Sequence, residues 1–99
     1  MANRKVKWNA GALKQFDKAI DYIEADSYSN AKSVAWNISQ TIEKLTVNPE
    51  QFPPDKLKKN NDGRFRAFEL HHYRISYFIG KNIIRIVRFR HTSMEPKKY

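Results

Sequence analysis

Ninety-nine residues suffice for one compact domain with a single core and are too few for two. The chain is 40% hydrophobic and 13% aromatic and has no cysteine, which excludes a disordered tail, a disulfide scaffold and a thiolate metal site. Nineteen basic residues against ten acidic leave +9, with twelve basic and only five acidic residues in positions 50–99; such a field draws in nucleic acid or acidic protein.

No apolar run approaches the length of a membrane span, and Met1 to Lys7 is too polar for a signal peptide. The expectation is a cytoplasmic protein with no membrane role. With three histidines, two of them adjacent, no metal is expected, and no motif calls for a cofactor.

Arg4 to Trp8 alternates basic and apolar residues and predicts a short first strand. Asn9 can cap a helix in which Leu13, Phe16, Ile20 and Ile23 form an apolar stripe at helical period. Asp26 to Asn30 is turn and cap chemistry. It opens a second helix with the seam Ala31, Val34, Ala35, Ile38, Ile42 and Leu45. Pro49, Pro53 and Pro54 stop that helix, and Lys56 to Asp62 reads as a basic loop carrying Lys56, Lys58 and Lys59. Three strands are predicted next, Gly63–Leu70, His72–Ile79 and Ile83–Arg90, with a tight hairpin at Gly80-Lys-Asn82. The fold class is therefore α+β: an N-terminal strand, a two-helix antiparallel hairpin and three antiparallel strands, with the helices on one face of the sheet.

Alternation assigns Tyr73, Ile75, Tyr77, Ile79, Ile84 and Ile86 to the core. The other face would then carry Arg64, Arg66, Arg74 and Arg85, with Phe68, Phe78, Phe89 and His91 among them. Arg88 and Arg90 break the pattern; either a bulge shifts the phase there or the strand end runs past the helices. Arginines that clamp phosphates and aromatics that stack bases suit a polyanion. A solvated sheet face capped by another protein fits the same residues.

Trp8 before a helix, the helical hairpin, Leu45 with Pro49, Gly63-Arg-Phe-Arg66, Tyr73-Arg-Ile-Ser-Tyr77 and Ile86-Val-Arg-Phe-Arg-His91 together resemble the RelE/ParE superfamily. These are toxins of bacterial type II toxin–antitoxin pairs. The resemblance implies a cognate acidic antitoxin whose tail covers the toxin, in a toxin–antitoxin hetero-oligomer. It also implies one of two activities. RelE-like and YoeB-like toxins cut messenger RNA in the ribosome; ParE-like toxins block DNA gyrase without chemistry.

By resemblance, Arg64 and Arg66 match paired basic residues before the tyrosine-arginine motif, and Arg74 matches that motif's arginine. His91 falls near YoeB's terminal catalytic histidine, and Tyr99 where RelE carries a catalytic tyrosine. On this reading Arg74, His91 and Tyr99 are catalytic. Arg64, Arg66, Arg85, Arg90, Lys56 and Lys58 then hold phosphate. Ribosome-dependent messenger RNA cleavage without metal is the preferred expectation, with gyrase inhibition as the alternative. Two departures cut against it: Ser93 stands where a further catalytic arginine is expected, and the glutamate of YoeB has no secure counterpart. The His91-Thr-Ser-Met94 run instead resembles ParE. A module that has lost its toxicity is a third possibility.

Overall fold

The computed structural model describes residues 3–99, so Met1 and Ala2 of the polar start lie outside the described residues. The elements follow the expected order: β1 (Lys5–Trp8), α1 (Ala10–Asp26), α2 (Tyr28–Lys44), a single 3-10 turn (Pro49–Gln51), β2 (Phe65–Leu70), β3 (Tyr73–Ile79) and β4 (Ile83–His91). The four strands form one sheet in the order β1-β4-β3-β2. The β2–β3–β4 meander is antiparallel, and β1 joins it parallel to β4. Among the described residues no helix is long and apolar enough to cross a membrane.

Ser27 alone separates the helices, and its side chain accepts the Asn30 amide at 3.1 Å, supplying one of the acceptors that the first turn of α2 lacks. The seam of α2 buries as its period requires, with Ile38 and Leu45 fully buried and Ala31 and Ile42 nearly so. The stripe of α1 keeps Phe16 and Ile23 of the expected set but begins at Ala12 in place of Leu13. Ala12 is buried and Leu13 is exposed, so Ala12, Phe16, Ala19 and Ile23 face the sheet. Phe16 meets Trp8 of β1 at 5.2 Å and Phe89 of β4 edge-on at 5.4 Å, tying α1 to both strands. Asn9 precedes α1 without a side-chain cap; its Oδ1 instead accepts from Arg85 at 3.3 Å.

The expected phase break in the last strand is a bulge. Ser76 pairs with Arg88 but Tyr77 pairs with Ile86, leaving Val87 as the extra residue. Alternation therefore restarts after Val87, and Phe89 turns into the core at 3% exposure while Arg88 and Arg90 turn away from the helices. A second correction concerns β2, where Arg66 and Phe68 lie opposite the core residues Tyr77 and Ile75. Phe68 is buried and stacks on Phe52 at 4.7 Å. Arg66, Phe68, Phe89 and His91 thus belong to the helix-packed face, not the other one.

The first two strands of the meander start later than alternation suggested. Gly63 has φ +99, a conformation costly for other residues, and turns the chain into β2. His71 and His72 form the two-residue loop between β2 and β3, both with positive φ (52 and 71). That is the backbone pattern of a type I′ hairpin, here without its usual asparagine or glycine.

Candidate functional site

The face turned away from the helices is not open. Along it run Phe65, Ala67 and Glu69 of β2, Arg74, Ser76 and Phe78 of β3, and Arg85, Arg88 and Arg90 of β4. Over its centre lie two segments without regular secondary structure, the loop from Asp55 to Asp62 and the final stretch from Thr92 to Tyr99. As a result Ala67 and Ser76, paired at the centre of that face, are 5% and 2% exposed.

Asp55 organises this side. It follows Pro53 and Pro54, is 2% exposed, and its backbone is fixed by the Phe65 carbonyl at 2.8 Å and by Asn61. Its Oδ1 accepts from Arg74 Nη2 at 2.7 Å and from the Leu57 amide at 3.0 Å; its Oδ2 accepts from the Tyr99 hydroxyl at 2.7 Å. Burial pushes this carboxyl upward, but hydrogen bonds from Tyr99, Arg74, Leu57 and Ser76 outweigh it and hold it below the usual carboxylate range. The Tyr99 hydroxyl is displaced the other way, well above an ordinary phenol, by burial and then by its bond to Asp55. Nothing in the sequence singled out Asp55. The only signal was a lone acid after two prolines, opposite a strand rich in arginine.

Arg74 is held from two sides. Besides Asp55, its Nη1 bonds Glu69 at 3.2 Å, so two carboxylates offset its charge, and its Nε is buried without a partner. Arg88 bonds the Lys97 carbonyl at 2.6 Å and lies 4.3 Å over the Tyr99 ring. Arg90 reaches the Glu95 carbonyl at 3.3 Å. Between the final segment and the sheet is a cavity of ≈ 110 Å³ whose lining includes Lys56, Glu69, Arg74, Arg88, Arg90, His91 and Lys97, five cations and a histidine against one carboxylate.

The other expected phosphate ligands scatter. Arg64 pairs with Asp62 at 2.8 Å and lies over the Phe78 ring at 5.3 Å. Arg66 faces the helix side, where it donates to the carbonyls of Phe52 at 2.8 Å and Gly63 at 3.0 Å; it braces the proline segment against β2. Arg85 is on the far face but is engaged with Asn9. Lys56 is exposed, whereas Lys58 sits over the rings of Phe65 and Tyr99.

The three expected catalytic groups do not form one hydrogen-bonded cluster, although His91 lines the same cavity as Arg74. Arg74 and Tyr99 come together through Asp55. His91 shares the face of its partner Tyr73, meeting that ring edge-on at 5.0 Å and stacking on His72 at 6.3 Å, while its Nδ1 accepts the Ser93 amide at 3.0 Å. The groove beside His91 is formed by Tyr22, Ala19 and Lys18 of α1 and by Phe89 and Met94. Among the described residues no group of three or more His, Asp or Glu side chains is placed to hold a metal ion.

The profile of a family described as the ParE toxin of the type II toxin–antitoxin system parDE matches residues 6–96. No curated protein matches the sequence significantly. Among solved structures, the chromosomal ParDE toxin–antitoxin system from P. aeruginosa superposes with TM-score 0.66 at 16% identity, over 89% of this chain and 95% of that one. The YoeB dimer from Staphylococcus aureus superposes with TM-score 0.61 at 18% identity, over 91% and 98%. At such identities the two structures establish the shared fold alone, while the family match extends over the whole strand–helix–sheet sequence and implies a cognate antitoxin. The chain belongs to the ParE toxin family of the RelE/ParE superfamily, and is the toxin component of a type II toxin–antitoxin system.

Proposed function

We propose that this toxin acts by binding a protein target, in the manner of ParE-type inhibitors of DNA gyrase, and not by cutting RNA. The observation that carries this reading is that Arg74 and Tyr99 are both engaged with the buried Asp55, while His91 holds the Ser93 amide and packs on Tyr73. Cleavage through a ribose 2′-hydroxyl needs a base and an acid on opposite sides of one phosphate, each within hydrogen-bond reach of its oxygen. Tyr99 already donates its proton to a carboxylate and has a raised pKa, so it is a poor acid and no base near neutral pH. Arg74, committed to two carboxylates, has little charge left for a phosphorane. The family match to ParE supports the same choice.

One observation favours the nuclease reading. The final segment does return across the sheet and sets Tyr99 beside Arg74 and Arg88, an arginine–tyrosine grouping of the kind a phosphate requires. Primer extension on a translated message after induced expression separates the two. The binding reading expects no ribosome-dependent cuts, with DNA damage appearing while translation continues. Cuts that vanish in His91→Ala or Tyr99→Phe would overturn it. In the cell the toxin would be held by an acidic antitoxin in a hetero-oligomer.

A further inference from the structure

We infer that the outer face of α2 is an interface for a second copy of this chain, packed antiparallel across a two-fold axis. Among the described residues six large apolar side chains are exposed, and three of them, Tyr28 (68%), Trp36 (64%) and Val47 (71%), lie on α2 or in the turn that follows it. With Lys32, Ser39 and Glu43 they recur at intervals of three and four, so they share one stripe. The core-facing seam of the same helix, Ala31, Ile38, Ile42 and Leu45, lies on a different side.

The stripe is complementary to itself. With the axis level with Asn37 and Ile38, antiparallel packing sets Trp36 of one copy against Ser39 of the other, Lys32 against Glu43, and Tyr28 against Val47. Each contact then occurs twice. Beside Trp36 is a hollow of ≈ 590 Å³ whose lining includes Ser33, Ala35 and Ser39, small side chains that leave room for the partner's indole. Lys32 and Glu43 are exposed and, among the described residues, join no ion pair within one copy. Opposite charges at symmetry-matched positions select a second copy over an unlike partner. The distribution of net charge agrees. Two chains of +9 repel, but twelve basic and five acidic residues lie in positions 50–99, whereas α2 carries only Lys32, Lys44 and Glu43. Contact through α2 therefore brings the copies together where repulsion is least. The 17 residues of α2 span about 25 Å, and a helix pair of that length covers less than the about 800 Å² per partner of a standard interface. The dimer is accordingly transient, with a dissociation constant on the order of 10–100 µM.

The inference does not rest on the functional reading above, and neither gyrase nor RNA enters its test. Sedimentation equilibrium of the antitoxin-free toxin from about 1 to about 500 µM should show monomer passing to dimer and no larger species, because a closed two-fold contact stops at two. Trp36→Ala should raise the dissociation constant about tenfold or more. Lys32→Glu and Glu43→Lys should each raise it about fivefold or more, and the double variant, which restores both pairs in the opposite sense, should return to within about twofold of the unaltered chain. These positions are exposed, so thermal unfolding of each variant should match the unaltered protein. The chain has no cysteine, which lets introduced thiols read the register. A short bismaleimide should join a mixture of Lys32→Cys and Glu43→Cys chains. It should not join either variant alone, whose two thiols would stand about 16 Å apart along the helices. Recovery in the double variant together with cross-linking of the mixture alone is the expected result. A dimer that Trp36→Ala leaves unchanged, no recovery in the double variant, or cross-linking of either cysteine variant by itself would each overturn it. A monomer at every concentration would also overturn it and leave the stripe to an unlike partner.

Discussion

Asp55 joins three separate parts of the structure. Its two oxygens fix β3 through Arg74, the basic loop through Leu57, and the final segment through Tyr99. Removing one partner of a buried ion pair strands the other, so Asp55→Ala should destabilise the fold by about 3 kcal/mol near neutral pH. The pH dependence has a definite sign. The folded carboxyl titrates below its unfolded value of about 3.9, so its contribution is complete above that value and is lost as pH falls through the depressed one. Denaturant unfolding across the acid range should therefore show the gap between Asp55→Ala and the unaltered protein closing below about pH 4. A gap that persists at full size to about pH 2 would mean that Asp55 acts through packing and not charge. The same proximity explains why Tyr99 and Arg74 are poorly suited to proton transfer.

At the level of elements, local pattern was decisive wherever one face was apolar and the spacing regular. The α2 seam and the core sides of β3 and of the first half of β4 follow directly from it. It failed where a single residue resets the phase. Val87 gives no sign in sequence of being a bulge, yet it decides that Phe89 is core and that Arg88 and Arg90 face the final segment. In β2 the error had a different cause. Arg66 occupies a helix-side position because Glu50 and Phe52 of the proline segment, and Gly63 before β2, supply acceptors, contacts no alternation rule contains. The β2–β3 hairpin offers an element-scale prediction. His72 holds φ 71 in a loop that favours glycine, so His72→Gly should raise unfolding stability by about 0.5–1 kcal/mol. Thermal unfolding would show it, and a fall in stability would point to a packing role for the ring against His91.

For the molecule as a whole, the surplus of positive charge was legible, and so was the family that the motifs resemble, but the use of the charge was not. Counting arginines on strands suggests an open cationic sheet. In the fold much of that charge is spoken for, by Asp55, Glu69, Asp62 and the carbonyls of the final segment. Sequence could place Tyr99 near the sheet only by resemblance. Its partner, forty-four residues away, becomes visible only once β2 and β3 are paired. What results is a toxin whose basic face suits recognition and whose candidate proton-transfer groups are already engaged with other protein groups. The most direct test is a supercoiling assay with purified DNA gyrase and antitoxin-free toxin. The account predicts that gyrase loses activity as toxin is added, that added antitoxin restores it, and that His91→Ala inhibits as well as the unaltered chain. Full gyrase activity at saturating toxin, with His91-dependent cutting of message in a ribosome-containing mixture, would contradict it.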